Sequence, residues 1–187
     1  MQTRLGLFVE CVLTAVVVVC LAGCSNPGPQ QNPLPTSVAS PVAPRGTASP
    51  IPSGEAVDLR NAERAVDRFW RVIDRLSADP DSDLTELTTV SRGSVAAQWA
   101  KNINQDRYDR VRSSGNVTVR DAMAKRSKKQ NMFRVTACID VSGLSLTDKD
   151  GKSVVPADRP PRVSYNYVVE MDRQNWYVVR EKVTGTC

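Results

Sequence analysis

Cysteine is the residue of this sequence whose placement says most about chemistry. Cys11 and Cys20 lie in an apolar N-terminal run, Cys24 ends that run, and Cys138 and Cys187 belong to the C-terminal part. A thiolate is a nucleophile that can be acylated or oxidised. Histidine, the usual general base and metal ligand near neutral pH, occurs nowhere in the 187 residues. Composition thus removes Ser-His-Asp and Cys-His catalysis and HExxH zinc chemistry. No catalytic residue, metal site or cofactor is expected.

The remaining candidates for acid–base work are carboxylates. Asp67, Asp74, Asp121 and Glu170 are the set that could pair, and Asp67 and Asp74 are seven apart, on one face if the segment is helical. Charges on helix surfaces are ordinarily solvated, so catalysis is not expected from them. Asp148-Lys149-Asp150-Gly151 departs from a calcium loop, because its glycine comes at the fourth position and no glutamate closes the loop. Asn116-Val117-Thr118 matches a glycosylation sequon but falls where a strand is predicted. The formal charge of +5, from 25 basic and 20 acidic residues, is mild. It suits anionic surfaces without requiring nucleic acid.

The N-terminus reads as an address. Arg4 precedes an apolar run from Cys11 to Leu21, the length of a signal core and short for a membrane span. Gly23 to Pro27 then stops any helix. Leu21-Ala22-Gly23-Cys24 resembles the lipobox of bacterial lipoproteins, which implies cleavage of residues 1–23 and lipidation of Cys24 by diacylglyceryl and palmitate groups. The same resemblance implies anchoring to the outer face of the cytoplasmic membrane, in the cell envelope.

Residues 25–54 hold eight of the twelve prolines, with Ser, Thr, Gln and Gly between them. Residues 24–54 are therefore expected to be the lipidated cysteine and a disordered Pro/Ser-rich tether, with a reach of up to ~90 Å when extended. Tethers of this composition resemble those of actinobacterial lipoproteins.

Elements that position side chains begin at residue 55. Leu59, Ala62, Val66, Phe69, Ile73 and Leu76 make one apolar stripe at helical spacing, ended by Pro80-Asp81. A short second helix is predicted around Leu84–Leu87. A third is predicted to be capped by Ser94 and to carry Val95, Trp99, Ile103 and Val111. After Ser114-Gly115 the period becomes two. Val117 and Val119 start one strand, and Lys125-Arg126-Ser127-Lys128-Lys129 reads as a basic turn. Phe133 to Val141 alternate in a second strand. Val163, Tyr165, Tyr167, Val169 and Met171 mark a third, and Trp176 to Val183 a fourth.

Helices followed by four antiparallel strands resemble the nuclear transport factor 2-like (NTF2-like) cone, over residues 55–187, as in small domains of actinobacterial lipoproteins and Mce-associated proteins. The resemblance implies an α+β fold, N-terminal helices on a curved four-stranded antiparallel sheet, with a pocket between them. Trp70, Trp99, Tyr165, Tyr167 and Met171 are the residues placed to line it or to fill it. Lys125, Arg126, Lys128 and Lys129 are expected to form a basic contact patch on a hairpin tip. They lack the interleaved aromatics of a nucleic-acid platform. Cys138 and Cys187, an even pair in an oxidising compartment, are expected to form a disulfide.

The expected function is a non-enzymatic binding or assembly domain for an envelope protein partner. A carrier or sensor of a small apolar ligand held in the cone is one alternative. A phage-encoded superinfection-exclusion lipoprotein has the same parts and stays open, as does the oligomeric state.

Overall fold

A computed structural model describes residues 54–187. The signal segment, Cys24 and the tether lie outside the described residues. Among those described, no helix is long and apolar enough to cross a membrane.

The apolar stripe becomes α1, Gly54–Ala78, which buries Ala62, Ala65, Val66, Phe69, Trp70, Val72, Ile73 and Leu76. Burying each larger side chain in this set contributes about 1.5–3 kcal/mol, so the face is held firmly against the sheet. The helix stops before Asp79-Pro80, since a residue preceding proline is driven out of helical geometry. Arg107 seals this end by donating from one guanidinium nitrogen to the carbonyls of Leu76, Asp79 and Ser82 and to the Ser82 hydroxyl.

The expected second helix is a 3-10 turn, Leu84–Thr89, capped by Asp83, whose carboxylate accepts from the Thr85 N–H. The Thr88 and Thr89 hydroxyls donate to carbonyls three residues back, which favours the tighter winding. The next helix, α2, spans Ser94–Tyr108. Its N-cap is Gly93 at φ +61° and not Ser94 as expected; no side chain caps this end. Arg110, at φ +56°, takes the chain off the helical path, so Val111 falls outside α2 and donates its N–H to Asp106.

Four strands form the main sheet: β2 Thr118–Arg126, β3 Met132–Asp140, β5 Arg162–Asp172 and β6 Asn175–Thr186. All pairings are antiparallel, in the order β2-β3-β5-β6. Phe133, Val135, Ile139, Tyr167, Val169, Trp176 and Val178 point to the inner face and pack under α1. A separate two-stranded ribbon pairs β1, Arg112–Ser114, with β4, Ser145–Thr147, in segments expected to be helix end and loop. It is anchored where Gly115, at φ +82°, passes so close to Gly143 that a Cβ would sit 1.9 Å from the Gly143 carbonyl oxygen.

On the outer face, Asp140 is 5% exposed yet fully engaged. One of its oxygens accepts from the Ser142 hydroxyl and N–H, the other from Arg120 and Arg162. These contacts, the Ser142 bonds foremost, hold its carboxyl well below the usual carboxylate range. Beside it, Cys138 on β3 is bridged to Cys187 across β5, with Cα atoms 5.9 Å apart, inside the range a disulfide requires.

Candidate functional site

Three elements bring an aromatic group together at the inner face. Trp70 comes from α1, Trp99 from α2, and Tyr165 and Tyr167 from alternate positions of β5. Ring centroids are 5.4 Å apart for Trp70–Trp99, 6.0 Å for Trp70–Tyr165 and 5.5 Å for the stacked pair Tyr165–Tyr167. The Trp70 indole N–H donates to the Tyr167 hydroxyl at 2.9 Å, so the polar tips of two buried rings satisfy each other. Tyr167 is 1% exposed. Four of the five residues expected to line or fill the cone therefore meet. They do so in ring-to-ring contact, with Trp70 and Tyr167 buried and Trp99 and Tyr165 partly buried. Met171 is apart from them, at the far end of β5, paired with Trp176 beside the hairpin turn.

A fifth member, Glu181, was not foreseen. It faces Tyr167 across the β5–β6 ladder. The register shifts between Val168 and Val169, where β6 runs from Arg180 to Val178, leaving Val179 as an extra residue. This bulge moves the inward set from Trp176 and Val178 to Glu181. The Trp99 indole N–H donates to Glu181 Oε1 at 2.8 Å, and Oε2 is buried without a partner. Burial pushes the Glu181 carboxyl up from its ordinary value, and the Trp99 hydrogen bond opposes this. Burial and the charge of Glu181 together raise the Tyr165 hydroxyl. Burial also raises that of Tyr167, far above its ordinary value.

A carboxyl with one unpartnered oxygen can hold a proton, and the groups packed on it are the Trp99 indole and the Tyr165 and Tyr167 rings. The other acidic candidates are scattered. Asp67 is ion-paired with Arg71 on the helix surface. Asp74 accepts from the Val117 N–H and is pushed up by burial. Asp121 is exposed at a β2 bulge, and Glu170 lies on β5. Among the described residues no cluster of His, Cys, Asp and Glu could hold a metal. A cleft of about 600 Å³ does exist, but between the end of α1, α2 and β1, lined by Ile103, Asp106, Arg107, Arg110 and Lys149.

The basic patch expected at the hairpin tip does not form as one surface. Lys125 and Arg126 belong to β2, and only Lys128 and Lys129 lie in the turn. Successive strand residues point to opposite faces. Arg126 turns towards α1, where it pairs with Asp58 at 3.0 Å and with Glu55, and lies over the Phe133 ring. Lys125 points to the outer face of the sheet.

No protein-family model and no curated protein sequence matches the chain. Solved structures do. The intermembrane space region of the chloroplast protein ARC6 matches at TM-score 0.50 and 15% identity, over 68% of this chain and 97% of that one. The arrangement is the expected α+β fold, helices on a four-stranded antiparallel sheet. Two others match at TM-scores below that. CagV, a VirB8 homolog of T4SS from Helicobacter pylori, gives 0.40 at 12% identity, over 66% of this chain and 99% of that one. A proposed aromatic ring hydroxylase from Novosphingobium aromaticivorans gives 0.43 at 14% identity, over 68% and 94%. Identities this low speak for fold alone.

Proposed function

We propose that this protein is a lipid-anchored, extracytoplasmic binding or assembly domain that engages a protein partner of the cell envelope and turns over no substrate. The observation that carries the reading is the ring-to-ring packing of Trp70, Trp99, Tyr165 and Tyr167 at the inner face of the sheet, where an NTF2-like domain would hold a ligand. What remains for recognition is the outside of the domain. The lipobox-like Leu21-Ala22-Gly23-Cys24 and the proline-rich segment after it supply an anchor and reach. A tether suits a search for a partner better than it suits small-molecule chemistry. The bridge between Cys138 and Cys187 suits an oxidising compartment. The ARC6 region of like fold is an intermembrane space region.

Native mass spectrometry of the full chain, extracted from membranes in mild detergent, tests this reading. The expected species is the lipidated chain with no further small molecule, and in-cell crosslinking is expected to add a discrete protein adduct. A stoichiometric apolar molecule released on denaturation would overturn the reading in favour of a carrier.

A further inference from the structure

The face of the sheet turned away from the helices carries a row of cations that form no ion pair among the described residues. Lys125 stands opposite Arg134 on the neighbouring strand, Arg134 opposite Val168, and Val168 opposite Arg180. One register step along the strands, Met123, Thr136, Asn166 and Lys182 form a second row. Between the two rows lies a groove of about 490 Å³ lined by four cations and no acid. Lys125, Arg134, Arg180 and Lys182 are all exposed, and none makes an ion pair or side-chain hydrogen bond among the described residues.

Like charges directly opposite one another in a sheet are destabilising. Elsewhere this domain neutralises such crowding: Arg120 and Arg162, on the same face, share Asp140. The four cations of the groove make no such pair among the described residues, and the nearest acid on that face, Glu170, stands one register step beyond their first row. Residues 24–53 contain no Asp or Glu. The groove is also not purely charged. Met123 is 61% exposed within it, and Val168 forms part of its floor.

We infer that this groove docks an acidic, partly apolar peptide segment of the protein partner. The inference rests on the binding-domain reading above and names where and by what chemistry the partner is held. Carboxylates of the segment would meet Lys125, Arg134, Arg180 and Lys182, and an apolar side chain would cover Met123 and Val168. Thr136 and Asn166 offer hydrogen bonds to its backbone. A groove that runs between two rows of strand residues fits an extended segment better than a planar lipid surface.

Fluorescence anisotropy with the full, detergent-solubilised protein tests this. The probes are an extended peptide alternating Glu and Leu, its Lys/Leu counterpart, and vesicles of phosphatidylglycerol and phosphatidylcholine in equal parts. The Glu/Leu peptide is expected to bind, to weaken steeply as salt rises, and to lose about tenfold or more in affinity in Arg134→Glu/Arg180→Glu. The turn variant Lys128→Glu/Lys129→Glu is expected to keep binding. All four positions are exposed, so circular dichroism should stay unchanged. Equal binding of both peptides, tighter binding to vesicles than to peptide, or full binding by Arg134→Glu/Arg180→Glu would each overturn the inference. So would a shift from self-associated to monomeric in that variant, which would make a second copy the occupant. A crosslinked envelope partner whose capture survives Arg134→Glu/Arg180→Glu would sink this groove and leave the binding-domain reading standing.

Discussion

The Trp99 indole fastens α2 to the last strand by donating to Glu181, a carboxylate whose second oxygen is buried and unpartnered. This bond crosses between elements separated by most of the sheet sequence, and it titrates.

Glu181 gives the domain a specific pH dependence. Its folded-state value lies above the ordinary carboxylate value because burial disfavours the ionised form. The folded chain therefore holds more protons than the unfolded chain between the two values, and unfolding free energy falls as pH rises through that interval. Stability from this group is fully present below the unfolded value and is lost as pH rises through the folded value. Glu181→Gln keeps an acceptor for Trp99 and removes the titration. Asp74 and Asp106 are also raised by burial, so the contrast between the variant and the native chain is what isolates Glu181. Urea denaturation across mildly acidic to mildly alkaline pH should show a shallower decline for the variant; parallel curves would contradict the assignment.

Tyr167→Phe removes the acceptor of a buried indole N–H while keeping the ring. Leaving that donor unsatisfied costs about 1–3 kcal/mol. Trp70→Phe/Tyr167→Phe removes both polar tips and should cost less than the sum of the single changes. Thermal melts of the three variants measure the coupling. An unchanged midpoint for Tyr167→Phe would mean that water or another group replaces the bond.

Cys138 and Cys187 are expected to be oxidised in the native protein. Intact mass after alkylation, with and without reductant, should show no free thiol in the native domain and two after reduction. In the chain-entropy view, the bridge between residues 49 apart adds up to about 4 kcal/mol. Cys138→Ser/Cys187→Ser should lower the denaturation midpoint accordingly. A dimer on a non-reducing gel would point instead to pairing between chains.

Cys24→Ala should abolish palmitate labelling and release the protein from the membrane fraction. Processing, labelling and membrane retention of this variant would defeat the anchor.

The elements were legible where one periodicity ran undisturbed. The stripe from Leu59 to Leu76 specifies α1, and the alternation from Phe133 to Ile139 specifies β3 and its inner face. What was not legible depends on departures from period. The bulge at Val179 puts Glu181 on the inside, where simple alternation from Trp176 places it outside. Lys125 and Arg126 read as a turn because adjacent basic residues suit solvent, but the strand continues through them and sends them to opposite faces. The β1–β4 ribbon rests on the close approach of Gly115 to Gly143, a contact between residues far apart in the chain with no local signature. The cationic groove was hidden for the same reason, since its four members come from three strands and meet only through register.

The bridge from Cys138 to Cys187 passes over β5 and ties the end of β6 to β3. An edge strand near a chain end is the element that protomers most readily trade with one another. Here β6 is an edge strand, and the covalent link returns it to its own sheet. Oxidation thus closes the route by which two neighbouring copies would exchange strands and become entangled. Reduction would reopen it, and the thiol state of two residues would decide whether neighbours stay separate.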